Sequence, residues 1–178
     1  MFYGIQAWGS ADPTARNKLD ILQNKAVRIL SGKQYFQIYG QEPGPLPSSE
    51  PLYKKLDILK FHDIFKLSIA NFVYSTLTSD SPAIFDNWFQ YDHEVHDHTT
   101  RASTNIMREN YFDIGYVEQS FTLHTKGARN NFGRKMIQVT GPIIWNSIPE
   151  EIQKAASIFT FKKEYKKYMF SQYAGVNN

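Results

Sequence analysis

The stretch that most narrows the folds open to this chain is 61–77, FHDIFKLSIANFVYSTL, where Ile64, Phe65, Ile69, Phe72, Val73 and Leu77 recur at helical spacing. Apolar residues three and four apart over such a length specify a helix of roughly five turns with one face that water must not reach. A helix of that kind has to be covered. The other elements therefore read as cover for it, and 61–77 is expected to be the central core helix.

The preceding elements also read as helical. From Asp12, DPTARNKLDILQNKAVRILSG places Pro13 in a first turn, puts Leu19, Leu22, Ala26, Ile29 and Leu30 at helical spacing, and reaches Gly32 as a stop. Residues 35–49 hold Gly40, Gly44 and three prolines, a loop composition, and Pro51 opens a helix faced by Leu52, Leu56 and Leu59. Ser81 and Pro82 start another short helix. Residues 91–110 are polar, histidine-rich and aperiodic, which predicts a loop. Beyond it the period changes. Ser120–Thr125 (SFTLHT) and Lys135–Thr140 (KMIQVT) alternate and predict two antiparallel strands, with KGARNNFG as their turn. Pro142 and Pro149 then predict helix starts, Ser147 and Glu150 have the spacing of a reciprocal cap, and a last helix runs from Ser157 to about Tyr173.

Composition sets the outer limits. A chain of 178 residues with 15 % aromatics can build one ordinary core. Its net charge of +3 leans mildly toward acidic partners. The absence of cysteine excludes disulfides, thiolate zinc sites and cysteine nucleophiles, and suits a reducing compartment, cytoplasm or nucleus. MFYGIQAWGS lacks the basic and apolar regions of a signal peptide, and no run approaches a membrane span, so an intracellular protein without membrane contact is expected.

His93, Glu94, His96, Asp97 and His98 are potential zinc ligands, but their spacing does not put two histidines on one helix face as H-E-x-x-H does, and the plainer reading is a solvated loop. No G-x-S-x-G elbow, phosphate loop or aspartate pair for two metal ions occurs. Asp57, Asp63 and Asp113 read as surface or turn carboxylates. No catalytic residue, metal or cofactor is expected. Lys126, Arg129, Arg134 and Lys135 are different: they fall within ten acid-free residues that also contain Phe132, the pairing of cation and aromatic ring that suits a phosphate backbone and its bases. The competing reading is a charged turn that only deters edge aggregation. In the last helix Ile158, Phe161, Tyr165, Tyr168 and Met169 share one arc while Lys162, Lys163, Lys166 and Lys167 share the opposite one. Finally, Gly141–Pro149, GPIIWNSIP, reads as a compact corner: Gly141 for a strand exit, Pro142 for a first helical turn, Trp145 as a buried anchor, then Asn146, Ser147 and Pro149 leading into the next helix.

Several of these pieces, in this order, resemble the C-terminal region of non-LTR retrotransposon reverse transcriptases of the jockey and CR1 types. They are YGIQAWGS at 3–10, LQNKAVRIL at 22–30, PLYKKLDILKFHDI at 51–64, the H-x-H-x-T-R run at 96–101, GPIIWNSIPEEI at 141–152 and FKKEYKKYM at 161–169. In that family Y-G-x-x-x-W-G lies near the end of the thumb, downstream of the palm whose aromatic-Ala-Asp-Asp motif holds the catalytic metals. The resemblance implies a part of an RNA-directed DNA polymerase that follows the catalytic core and is not an enzyme by itself, because the polymerase and endonuclease residues have no counterpart here. It also implies that His96, His98, Thr100 and Arg101 belong to a pattern other than a zinc site.

Together these readings predict one mainly α domain over 1–178 with a small antiparallel β-hairpin near the C-terminal third, an α+β class. Its parts would be a thumb-like helical segment at 1–32, a helical core at 51–90, a polar loop at 91–118, the hairpin at 119–140 and the corner with the C-terminal helices at 141–173. The expected role is a non-catalytic accessory region that packs on the rest of the reverse transcriptase and contacts template RNA or target DNA. The alternatives are a purely structural or protein-interaction region and a zinc-dependent module.

Overall fold

The computed structural model describes residues 4–39, 48–95 and 121–173, with side chains only as far as Gly32 in the first segment. Among them lie α1 (Ile5–Trp8), α2 (Pro13–Tyr39), α3 (Glu50–Lys55), α4 (Phe61–Leu77), α5 (Asp92–Val95), α6 (Ile137–Asn146), α7 (Glu150–Gln153) and α8 (Ile158–Ser171), with 3-10 turns at Ala83–Phe85 and Gly133–Lys135. The chain divides into two compact units, Met1–Ser68 with Lys162–Asn178, and Ile69–Phe161. The central helix has the bounds its apolar period dictates. It buries Phe61, Phe65, Ile69, Ala70, Val73 and Tyr74 and ends where Ser79 turns left-handed (φ 59°) and the Asp80 N–H bonds the Ser75 carbonyl at 2.8 Å.

In the first unit the core consists of Ile5, Val27, Leu52, Tyr53, Leu59, Phe61, Phe65, Tyr165, Met169 and Tyr173. The Y-G-x-x-x-W-G residues do structural work here. Gly4 is the left-handed residue (φ 67°) before α1, and Trp8 stacks on Phe61 with ring centroids 5.4 Å apart. Gly9 has the Phe65 ring where a side chain would be. Tyr173 closes the unit: its hydroxyl donates to the Asp63 carboxylate (2.6 Å) and accepts the Lys60 N–H (2.9 Å). The Lys60 ammonium lies 4.9 Å from the Tyr173 ring centroid and pairs with Glu50.

Helix α2 departs from the sequence expectation. Gly32 (φ 41°) interrupts it without ending it, and helix resumes to Tyr39, inside the stretch expected to be loop. More important, the stripe Leu19, Leu22, Ala26, Ile29 and Leu30 faces outward. The inward face buries only Val27 and Ser31 and otherwise presents amides. The Gln23 side chain donates to the Leu59 carbonyl (2.8 Å) and accepts from the Phe61 N–H (2.7 Å), while Asn24 accepts from the Ser49 and Tyr53 hydroxyls (2.6 and 3.0 Å). The Gln23 amide satisfies backbone groups at the start of α4 that would otherwise lack partners, Asn24 ties α2 to the hydroxyls of Ser49 and Tyr53, and together they set the rotation of α2.

Burial pushes the Tyr53 phenol up to about 12, with the Asp20 charge adding to the effect. Tyr165 and Tyr173 move in the same direction, through burial first and then Asp63. A phenol whose folded pKa lies above its unfolded value of 10.0 stabilises the fold fully below that pH and loses the contribution as pH rises through the folded value. Thermal unfolding is therefore expected to show a midpoint that starts to fall above about pH 10, with Tyr53→Phe flattening the fall between about 10 and 12. A midpoint equally steep in both proteins would refute the assignment to Tyr53.

The second unit holds the largest correction, because the described residues form no strand and the β-hairpin expected over 119–140 is not present. Residues 121–125 pair with backbone only through one antiparallel bridge among the described residues, Tyr91 to Leu123, closed by Asp92 N–H to Thr122 O (3.0 Å) and His124 N–H to Gln90 O (2.8 Å). KMIQVT, expected as the second strand, instead belongs to the 3-10 turn and to α6. Its alternation is too short to separate a strand from a helix start, and Ile137, Gly141, Ile144, Trp145 and Ile148 continue it at the helical period. In place of a strand partner, Asn146 offers its amide: Leu123 N–H donates to Asn146 Oδ1 and Asn146 Nδ2 donates to Leu123 O, both at 2.9 Å.

GPIIWNSIP also differs from expectation. Gly141 and Pro142 lie inside α6, so neither marks a strand exit or a helix start. Gly141 is there for space: a Cβ would come 2.8 Å from the Phe89 ring and 3.1 Å from Val73. Gly141→Ala should therefore destabilise the protein by about 1–3 kcal/mol, although alanine favours an exposed helix by about 1 kcal/mol. A raised urea midpoint would refute this. The reciprocal cap does not form either. Ser147 Oγ donates to the Ile144 carbonyl, Pro149 precedes α7, and Glu150 pairs with Lys154. Trp145 is 2 % exposed, stacks on Phe161 (5.7 Å) and donates its indole N–H to the Phe121 carbonyl (3.0 Å). Phe161 in turn stacks on Tyr74 (4.8 Å), and Phe72 gathers Phe85, Trp88 and Phe89 edge-on.

Candidate nucleic-acid interface

Between Phe121 and Pro149 the chain carries no aspartate or glutamate. The cations expected on a hairpin tip stand instead on a series of turns. Asn130 Oδ1 accepts from the Gly133 N–H (2.7 Å), and the amides of Arg134, Lys135 and Met136 bond the carbonyls of Asn130, Phe132 and Gly133. This hydrogen bonding fixes the backbone that presents the side chains. Lys126, Arg129, Arg134 and Lys135 are all exposed, and none pairs with a carboxylate among the described residues. Phe132 stands among them with 78 % of its surface in water. An exposed phenylalanine ring flanked by unneutralised cations can stack on a base while the cations meet phosphates.

The four lysines of α8 do not behave alike. Lys162 and Lys163 are exposed, and no described carboxylate pairs with either. Lys166 is held by Asp57 at 2.6 Å and lies 5.4 Å from the Phe170 ring centroid, so its charge is largely committed within the protein. Lys167 has Glu164 at 3.9 Å. Lys126 through Lys135 belong to one compact unit and Lys162 through Lys167 to the other. Phe161, Tyr165 and Met169 on the same helix are buried, in line with the apolar arc.

In the histidine-rich segment, His96, Asp97, His98 and the H-x-H-x-T-R run lie outside the described residues. His93 stacks on Tyr91 (5.4 Å) and Glu94 accepts the Tyr91 N–H (3.0 Å), both within the turn of α5. A cavity of about 130 Å³ in the first unit is lined by Pro13, Arg16, Asn17, Asp20, Phe61 and His62. That is well below the roughly 300–1,000 Å³ of a typical small-molecule site. No helix among the described residues is long and apolar enough to cross a membrane.

Two features escaped sequence reasoning. The amide side chains of Gln23 and Asn146 act as backbone partners, and the apolar face of α2 points to solvent. The available signal for the first was an amide set among apolar neighbours, which also describes many surface positions. Comparison of the chain with protein-family models, with curated proteins and with solved structures gives no match.

Proposed function

We propose that this chain is a non-catalytic accessory region of a reverse transcriptase of the non-LTR retrotransposon type, and that it contacts RNA or DNA through the acid-free turn segment. The observation that carries the contact is the exposure of Lys126, Arg129, Arg134 and Lys135 around Phe132 without a carboxylate partner among the described residues. Lys162 and Lys163 are secondary candidates, whereas Lys166 is better assigned to its pair with Asp57. The link to a reverse transcriptase rests on the ordered sequence resemblance alone. The attachment of this region to the rest of that polypeptide belongs to the same proposal.

The test is fluorescence anisotropy of labelled single-stranded RNA, single-stranded DNA and an RNA–DNA hybrid over a salt series. Binding should weaken steeply with salt, by a logarithmic slope of about 0.7 per phosphate contact on a single strand. Replacing the four turn cations by glutamine should lower affinity on the order of 100-fold and reduce the slope by about 3. Affinity and slope unchanged by the replacement would remove the turn from the interface. No binding to any of the three probes at low salt would remove the nucleic-acid role and leave the alternative, a structural or protein-interaction region.

A further inference from the structure

We infer that the outward face of α2 is a docking site for an amphipathic helix of another protein, one whose apolar stripe is flanked by carboxylates. The unbroken helical part of α2, from Pro13 to Ser31, puts Ala15, Leu19, Leu22, Ala26 and Ile29 at alternating spacings of four and three residues, with Leu30 beside them. That is the seam of a two-helix coiled coil, about four turns and roughly 21 Å long. The seam is in water: Leu22 is 60 %, Ile29 79 % and Leu30 66 % exposed. The helix has no opportunity to bury this face by rotating, because Gln23 and Asn24 hold its other side through four hydrogen bonds. An apolar stripe kept outward by a satisfied polar face is an interface rather than a packing accident.

Charge selects the occupant. Lys18 and Lys25, both exposed, border the stripe on one side at the positions from which coiled-coil partners are chosen. Across an antiparallel second copy those lysines would face each other. Across a parallel copy Lys18 would fall opposite Gln23, which is held inward, and Lys25 opposite Leu30. Neither arrangement supplies a carboxylate, so self-pairing is disfavoured and a glutamate-flanked helix is the complement. Ile21, 54 % exposed, widens the apolar surface beyond the seam, but the described face carries no aromatic residue, which suits a helix better than a bilayer surface that calls for tryptophan or phenylalanine. This inference does not depend on the nucleic-acid reading.

The full chain would be titrated with two synthetic peptides of about three heptads, leucine at the seam in both, one with glutamate and one with lysine at the flanking positions. The glutamate peptide should bind at least about tenfold more tightly. Leu22→Ser with Ile29→Ser should abolish its binding while leaving the thermal midpoint of the exposed-site variant unchanged. Lys18→Glu with Lys25→Glu should reverse the preference toward the lysine peptide. Equal affinity for both peptides would overturn the charge-selected partner. So would failure of both to bind, whether the chain then dimerises through this face in sedimentation or pellets with phosphatidylserine vesicles.

Discussion

Replacing Trp145 by alanine is expected to cost about 3–5 kcal/mol, the usual range for deleting a large buried aromatic ring. The loss has three parts at this site. The ring leaves a cavity beside Phe161, whose stack with Tyr74 is then supported on one side only. The Phe121 carbonyl loses its indole donor. Residues 121–125, held by Asn146 from the adjacent position of α6, lose a second tether. At about 2–4 °C per kcal/mol for a chain of this size, the thermal midpoint should drop on the order of 10 °C. Trp145→Phe keeps one aromatic ring for the stack but loses the N–H and the volume of the second ring, so it should cost about 1–3 kcal/mol. Urea unfolding followed by circular dichroism separates the three proteins. An alanine variant with an unchanged midpoint would show that this corner contributes little to the fold.

The second large effect concerns Gly9. Its backbone is ordinary right-handed helix (φ −65°), so conformation does not demand glycine there. Space does. A Cβ would overlap the buried Phe65 ring and stand 2.5 Å from the Ile5 carbonyl oxygen, which is backbone and has no rotamer to change. Gly9→Ala should therefore force α1 away from α4 at a cost of about 1–3 kcal/mol or more. Gly127 supplies the control, since nothing lies within 4 Å of a Cβ built there. Gly127→Ala should be neutral or stabilise by up to about 1 kcal/mol through the unfolded chain. If both substitutions shift the urea midpoint alike, the close approach of Phe65 to Gly9 does not constrain the fold.

Helices whose period was long and whose apolar face met a core could be read without coordinates. The bounds of α4 and the buried arc Phe161, Tyr165 and Met169 of α8 follow from spacing alone. Trp145 was legible as an anchor because a ring that size is seldom left in water. KMIQVT is ambiguous in sequence because six residues contain too little of either period, and the helical continuation passes through Gly141 and Pro142, two residues that usually signal a stop. The cationic turn was legible as charge, but the partnership of Lys166 with Asp57, 109 residues earlier, was not.

Helix α2 marks the boundary between the two kinds of information. Its existence, its apolar stripe and the lysines beside that stripe are properties of local spacing, and the sequence determined them by itself. Which face turns inward depended on a comparison that no local pattern contains. Backbone groups at Leu59 and Phe61 need hydrogen-bond partners when α4 is buried, and Gln23 can supply them only if the leucines and isoleucines face away. The same holds for Asn146, which replaces a strand partner for Leu123. Apolar periodicity records what a helix could bury. The tertiary structure decides what it does bury, because a desolvated backbone amide without a partner costs about 1–3 kcal/mol, as much as leaving a leucine in water.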